Sequence, residues 1–253
     1  MSGEHENRDG RRIHVVQLYP RDMNIYGDFG NVLVLKQRLK WYGYSPVVTE
    51  YNPGDVFPSD VDVVVGGGGQ DSGQVVIQQD LQQLAPTLRQ LADDGVPMLV
   101  ICGLYQLFGR FFKTHEGTVI PGIGVLDIET HGGSDRLIGN VLSESVEFGE
   151  IHGYENHSGQ TFLGEGVEPL ARVRKGEGNN TKDDTEGARY NNVVASYLHG
   201  SLLPKNPAIA DFLIAKAAER RYGSFDPVPS EEDFADLERL SRLAREHAGL
   251  RPR

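Results

Sequence analysis

The sequence holds a single cysteine, Cys102, in 253 residues. It therefore forms no disulfide within the chain, and no multi-cysteine metal cluster can be built from it. Positive charge is also short, with 25 Lys and Arg against 36 Asp and Glu, a formal charge of −11. Without a basic excess to neutralise phosphates, nucleic-acid binding is disfavoured. No apolar run approaches the roughly 20 residues that a membrane-crossing helix needs. The opening residues, Met1 to Gly10, lack the apolar segment of a signal peptide. Neither G-x-x-x-x-G-K-[ST] nor G-x-G-x-x-G occurs, so a nucleotide has no evident phosphate cradle. What remains is ordinary globular material, 38% hydrophobic and 24% charged, long enough to bury a sizeable core. The expectation is a cytoplasmic protein whose one thiol needs an explanation.

Residues 1–12 are polar with balanced charge and are expected to form a disordered tail. Order is expected to begin at Ile13-His14-Val15-Val16-Gln17-Leu18-Tyr19, a β-prone run. Val32, Leu35, Leu39 and Tyr42 then recur at helical spacing, and Gly43 ends the run. Val47-Val48-Thr49 and Val61-Asp62-Val63-Val64-Val65 read as strands, the second leading into Gly66-Gly67-Gly68-Gly69. A helical stretch through Leu81, Leu84, Leu88 and Leu91 precedes Pro97-Met98-Leu99-Val100-Ile101, a strand apolar enough to be buried on both faces. Strands alternating with helices indicate a single α/β domain with an open, mixed but mostly parallel sheet flanked by helices.

From about Thr118 to Leu170 glycines are dense, and only short strands are expected, near residues 125–128 and 137–141. Lys175 to Gly187 reads as an exposed hairpin tip or mobile loop. Val193-Val194-Ala195-Ser196-Tyr197-Leu198 is a clear strand ending at His199-Gly200. Helices over about 207–222 and 231–247 close the chain. One domain over 13–225 is expected, followed over 226–253 by an amphipathic helix packed on the domain or on a partner.

A lone cysteine is by default a small, inert hydrophobe. Cys102, however, falls where a buried strand stops and a helix begins, with Gly103 next. Such a turn holds a nucleophile proud of the sheet, and the N-terminal end of the following helix favours thiolate. A thiol nucleophile also needs a base and an oxyanion hole. Of eight histidines, only His199 sits at the carboxyl end of a good strand, where Cys102 also sits and where ligands of open α/β sheets collect. The Gly103 N–H is one natural oxyanion donor, and Gly67 or Gly68 offers a second.

At these residues the sequence resembles the class I glutamine amidotransferases, in their cobyric-acid-synthase-like branch. The resemblance is carried by Ile101-Cys102-Gly103-Leu104-Tyr105-Gln106-Leu107-Phe108-Gly109, by Gly67-Gly68-Gly69-Gln70-Asp71, by Tyr154-Glu155-Asn156-His157-Ser158-Gly159 and by Tyr197-Leu198-His199-Gly200-Ser201-Leu202-Leu203-Pro204. Within the branch it is similar to the glutaminase subunits of lipid II isoglutaminyl synthases. The resemblance implies a flavodoxin-like, three-layer fold and hydrolysis of L-glutamine to glutamate and ammonia. Cys102 is then the nucleophile and His199 the general base. Arg136, by itself readable as a surface arginine, becomes the cation that binds substrate glutamine, since guanidinium matches carboxylate geometry.

Two positions depart from the family pattern. Leu104 stands where a small residue is usual. Ser201 stands two residues after the histidine, where many relatives have a glutamate that orients it. The resemblance, with no nucleotide motif in this chain, implies a heterodimer in which a Mur-ligase-like, ATP-dependent partner consumes the ammonia to amidate D-glutamate of the peptidoglycan stem peptide. That partner is also expected as a source of the third catalytic carboxylate. No metal or organic cofactor is implied. Two other readings stay open: a glutaminase serving another acceptor such as a corrinoid acid, and a non-catalytic regulatory subunit that keeps only the fold.

Overall fold

The first half of the chain mixes strands and helices: Arg12–Leu18 (β1), Phe29–Trp41 (α1), Ser45–Tyr51 (β2), Val63–Gly66 (β3), Asp71–Asp93 (α2), Met98–Ile101 (β4) and Gly103–Phe108 (α3), with β2 and β3 not separated by a helix. In this computed structural model, which describes residues 10–248 and 250, the middle turns to strands alone. These are Phe111–Lys113 (β5), Val119–Pro121 (β6), Ile128–Ser145 (β7), Gly149–Leu163 (β8), Ala171–Lys175 (β9), Thr185–Glu186 (β10) and Ala188–Tyr190 (β11). Val193–Ser196 (β12) then precedes three helices, Leu202–Lys205 (α4), Pro207–Tyr222 (α5) and Glu231–Ala248 (α6).

The first sheet has the order β11-β12-β4-β3-β1-β2. Every neighbouring pair is parallel except β11 with β12. The expected α/β sheet is thus present. Every residue of β3, β4 and β12 is buried, as their largely apolar runs, closed by Gly66 in β3 and Ser196 in β12, require of strands covered on both faces. The registers set the ends of these strands flush. Leu18 lies opposite Gly66, Gly66 opposite Val100, and Ser196 opposite Ile101. The segments that follow β1, β3, β4 and β12 therefore leave the sheet along one edge, and the site is built there.

The second sheet, β10-β9-β7-β5-β6 with β8 paired to β7, is larger than the short strands expected from the sequence. β7 alone runs 18 residues, with a register shift between Gly132 and Leu137. Along β8 the inward positions are Ile151, Gly153, Glu155, His157, Gly159 and Thr161. The period of two is there, but glycine and polar residues occupy the buried face, so hydrophobicity alone does not reveal it.

The segment from Lys175 to Gly187 is exposed at residues 175–177 and 181–184, but not throughout. Asn179, Asn180, Thr185 and Glu186 are buried. Asn179 makes this possible by meeting its own polar needs: its amide nitrogen donates to Thr185 Oγ1 and Gly187 O, and its Oδ1 accepts from the Gly187 N–H and the Tyr105 hydroxyl. Of the expected tail, residues 1–9 lie outside the described residues. Arg12 opens β1, and Arg11 places its guanidinium 4.5 Å from the Tyr44 ring centroid. Helix α6 packs on the domain itself: Leu237 is buried, and Ser241 Oγ accepts a 3.1 Å hydrogen bond from Arg38 on α1.

Candidate active site

Cys102 sits between β4 and α3 with φ +50° and ψ −102°, a conformation rare for a residue with a side chain. Two contacts hold it there. Its N–H donates to Ser196 O at 2.9 Å, tying the elbow to the end of β12. Leu104, fully buried, presses its side chain onto Gly66, where a Cβ would collide with it. The bulk of Leu104 is thus accommodated by glycine at the end of β3 rather than by a wider turn.

His199 follows β12 and is also buried. Its N–H donates to Tyr154 O at 2.8 Å, and Lys205 Nζ donates to His199 O and Gly200 O. The imidazole packs against the Tyr26 ring at a centroid separation of 4.3 Å. Its Nδ1 lies 3.6 Å from Asp28 Oδ2, longer than a hydrogen bond but in the range that catalytic pairs close when substrate binds. Burial works against a charged His199. The negative charges of Cys102 and Asp28 outweigh it, and the pKa is pushed up to about 10.

Asp28 is the residue that the sequence analysis missed. It is 3% exposed and occupies the position before α1, yet its carboxylate does not cap that helix. Asn24 Oδ1 accepts the Phe29 N–H instead, which leaves Asp28 turned inward. Asp28 Oδ2 accepts the Gly68 N–H at 2.8 Å. Ser201 explains how the loop is kept in place. Its hydroxyl donates to Gly27 O at 2.9 Å, and it packs on Gly30 where a Cβ would not fit. The position two after the histidine thus carries no acid, but it secures the loop that does. A search of the sequence for acids close to His199 passes over Asp28; the available signal is a carboxylate between Gly27 and Gly30, immediately before α1.

Gly68 lies where the three groups meet. A Cβ there would stand 2.7 Å from His199 Cε1, 3.0 Å from Cys102 Cβ and 3.5 Å from Asp28 Oδ2. The other expected residues sit around them. Cys102 and Arg136 line one cleft of about 380 Å³, together with Tyr26, Gln106, Asn156 and Ser158. Arg136 is exposed, and its guanidinium is aimed by Asn156 Oδ1 at 2.6 Å and the Tyr26 hydroxyl at 3.0 Å. Gly67 and Gly103 flank the elbow. The Gly68 N–H already serves Asp28, so while that bond holds it is not free to receive an oxyanion.

A strained cysteine elbow, a buried histidine and a strand-end glycine run on one α/β edge suit acyl transfer through a thiol. Residues 14–207 match the family of CobB/CobQ-like glutamine amidotransferase domains. This chain belongs to that family. With it, the chain is a glutamine-hydrolysing enzyme. It is 40% identical over 206 residues to the lipid II isoglutaminyl synthase (glutamine-hydrolyzing) subunit GatD of Staphylococcus aureus, covering 81% of this chain and 84% of the relative. The subunit of the same name from Streptococcus pneumoniae is 35% identical over 92% of both chains. A probable cobyric acid synthase of Methanothermobacter thermautotrophicus is 31% identical, but over only 30% of its own length. Among solved structures, PurLQS from Thermotoga maritima superposes over 81% of this chain and 97% of its own with a TM-score of 0.56 at 15% identity. A second, a glutamine amidotransferase, covers 80% of this chain and 98% of its own with a TM-score of 0.54 at 18% identity. Both share the fold. No helix among the described residues is long and apolar enough to cross a membrane.

Proposed function

We propose that this chain is the glutamine-hydrolysing subunit of a lipid II isoglutaminyl synthase, working in the cytoplasm through Cys102, His199 and Asp28. The observation that carries the chemistry is the meeting of these three side chains around Gly68, beside a cleft that also holds Arg136. The similarity that spans 92% of both this chain and the Streptococcus pneumoniae subunit supports the assembly.

In the proposed reaction, Arg136 takes the α-carboxylate of glutamine and places the side-chain carboxamide over Cys102. The thiolate attacks the carboxamide carbon, forming the S–C bond. The negative oxygen of the tetrahedral adduct is received by the N–H groups of Gly67 and Gly103. Asp28 faces Nδ1 of His199, leaving Nε2 for the reacting side. From Nε2 the departing nitrogen receives a proton, the C–N bond breaks, and ammonia leaves a γ-glutamyl thioester. His199 then takes a proton from water, whose oxygen displaces the sulfur and releases glutamate.

Ammonia made here needs a consumer. The chain lacks a nucleotide-phosphate motif, which supports an ATP-dependent, Mur-ligase-like partner that amidates D-glutamate of the stem peptide. In this reading Asp28, which faces His199 Nδ1 at 3.6 Å, orients the histidine in place of a carboxylate from that partner. The test is ammonia release by Cys102→Ala. It is expected to be abolished while the thermal unfolding curve stays that of the wild type, and retained activity contradicts the assignment. Co-purification from the native cell tests the acceptor. A Mur-ligase-like protein is expected, and a corrinoid-synthesising enzyme contradicts the proposal.

A further inference from the structure

Gln74 lies in the first turn of α2, its N–H bonded to Gln70 O at 3.1 Å. Its side chain is 1% exposed, yet it lines the cleft beside Cys102. Nε2 donates to Gln106 Oε1 at 2.8 Å, and Gln106 Nε2 donates to the Tyr197 hydroxyl at 3.1 Å. That hydroxyl is bonded to Thr161 Oγ1 at 2.6 Å, and Thr161 to Thr130 at 2.7 Å. The series holds the Gln74 amide with Oε1 turned away from Gln106. This oxygen is buried and receives no hydrogen bond. A buried amide oxygen without a donor is costly and requires an explanation. The amide also lies close to the reacting centre: a Cβ on Gly103, the residue after the nucleophile, would stand 2.9 Å from Gln74 Nε2.

Glutamine presents three polar groups. In the reaction proposed above, on which this inference rests, the carboxamide goes to Cys102 and the α-carboxylate to Arg136. The α-ammonium group is left, with three N–H donors and no partner assigned. The described side chains that line the cleft include no carboxylate. We infer that Gln74 Oε1 accepts a hydrogen bond from the substrate α-ammonium group. Gln74 is then a positioning residue, and with Cys102 and Arg136 it supplies the third point that fixes the handedness of the amino acid.

The test compares glutamine with glutaramate, the analogue without the α-amino group, in the full-length chain together with its partner. Gln74→Leu is expected to lower kcat/KM for glutamine about ten- to a hundredfold, mainly through KM, as loss of a hydrogen bond to a charged group does. The preference of the wild type for glutamine over glutaramate is expected to collapse toward one. Gln74→Glu keeps an acceptor of the same shape and is expected to retain more glutamine activity than Gln74→Leu. An unchanged preference ratio in Gln74→Leu overturns the assignment, as does a Gln74→Glu enzyme no better than Gln74→Leu. If neither variant turns over, the labelling rate of Cys102 by an electrophilic glutamine analogue decides. It is expected to fall in Gln74→Leu, and a wild-type rate overturns the inference. A wild-type enzyme that releases no ammonia from glutamine contradicts the glutaminase reading instead.

Discussion

At Cys102 the backbone adopts a conformation that costs on the order of 1–3 kcal/mol. Burial of Leu104 on Gly66 and the bond to Ser196 offset that cost and keep the thiol at the strand end. The same closeness governs Gly68. Gly68→Ala would drive a methyl group into His199 and Cys102, both held by the sheet, so the histidine must move. Ammonia release is expected to fall at least about a hundredfold, since a base displaced by about 1 Å loses that much. Steady-state assays check this, and wild-type kcat in Gly68→Ala contradicts the tight packing described here. Arg136 is different, being exposed and aimed by Asn156 and Tyr26. Arg136→Ala is expected to weaken glutamine binding by about 1.5–3 kcal/mol, seen as a raised KM with kcat less affected. An unchanged KM returns Arg136 to a surface role.

Among the elements, the inner strands were legible because burial on both faces demands apolar runs, which β4 has throughout, β3 up to Gly66 and β12 up to Ser196. Cys102 and His199 were legible for the same reason, each standing where such a run stops. Asp28 was not, because its nearness to His199 depends on how the loop after β1 folds back over the end of β3. Nor was β8, whose buried face carries Glu155, His157 and two glycines. The buried Asn179 and Asn180 look like loop residues until their hydrogen bonds are traced. The loop that carries Asp28 offers its own test. Gly30→Ala would collide with Ser201, so activity is expected to fall. Ser201→Gly removes the obstacle at a position whose φ of +48° glycine adopts easily. The double variant is expected to regain part of what Gly30→Ala loses, and simple additivity of the two defects contradicts the contact.

For the whole molecule, the core carries a titratable group that the chemistry does not use. Burial pushes the Glu186 carboxyl up from 4.5 to about 7, against hydrogen bonds from Ser196 and the Tyr197 N–H. The folded state therefore holds this proton more tightly than the unfolded chain. The stability so gained is full below about pH 4.5 and is lost as pH rises through about 7, a change on the order of 3 kcal/mol. Denaturant unfolding across that window is expected to show the decline in the wild type and a flatter profile in Glu186→Gln; equal slopes contradict it. The site, in turn, depends on the fold as a whole, since loops from four strand ends must meet around one glycine. The central claim is that this chain supplies its own third member in Asp28, and the most direct measurement is kcat for ammonia release by Asp28→Asn with the partner present. The account predicts a fall of about 10²–10⁴-fold with KM little changed, the loss expected when a histidine loses the acid that orients it. A wild-type kcat would show that the orienting carboxylate comes from elsewhere and would contradict the account.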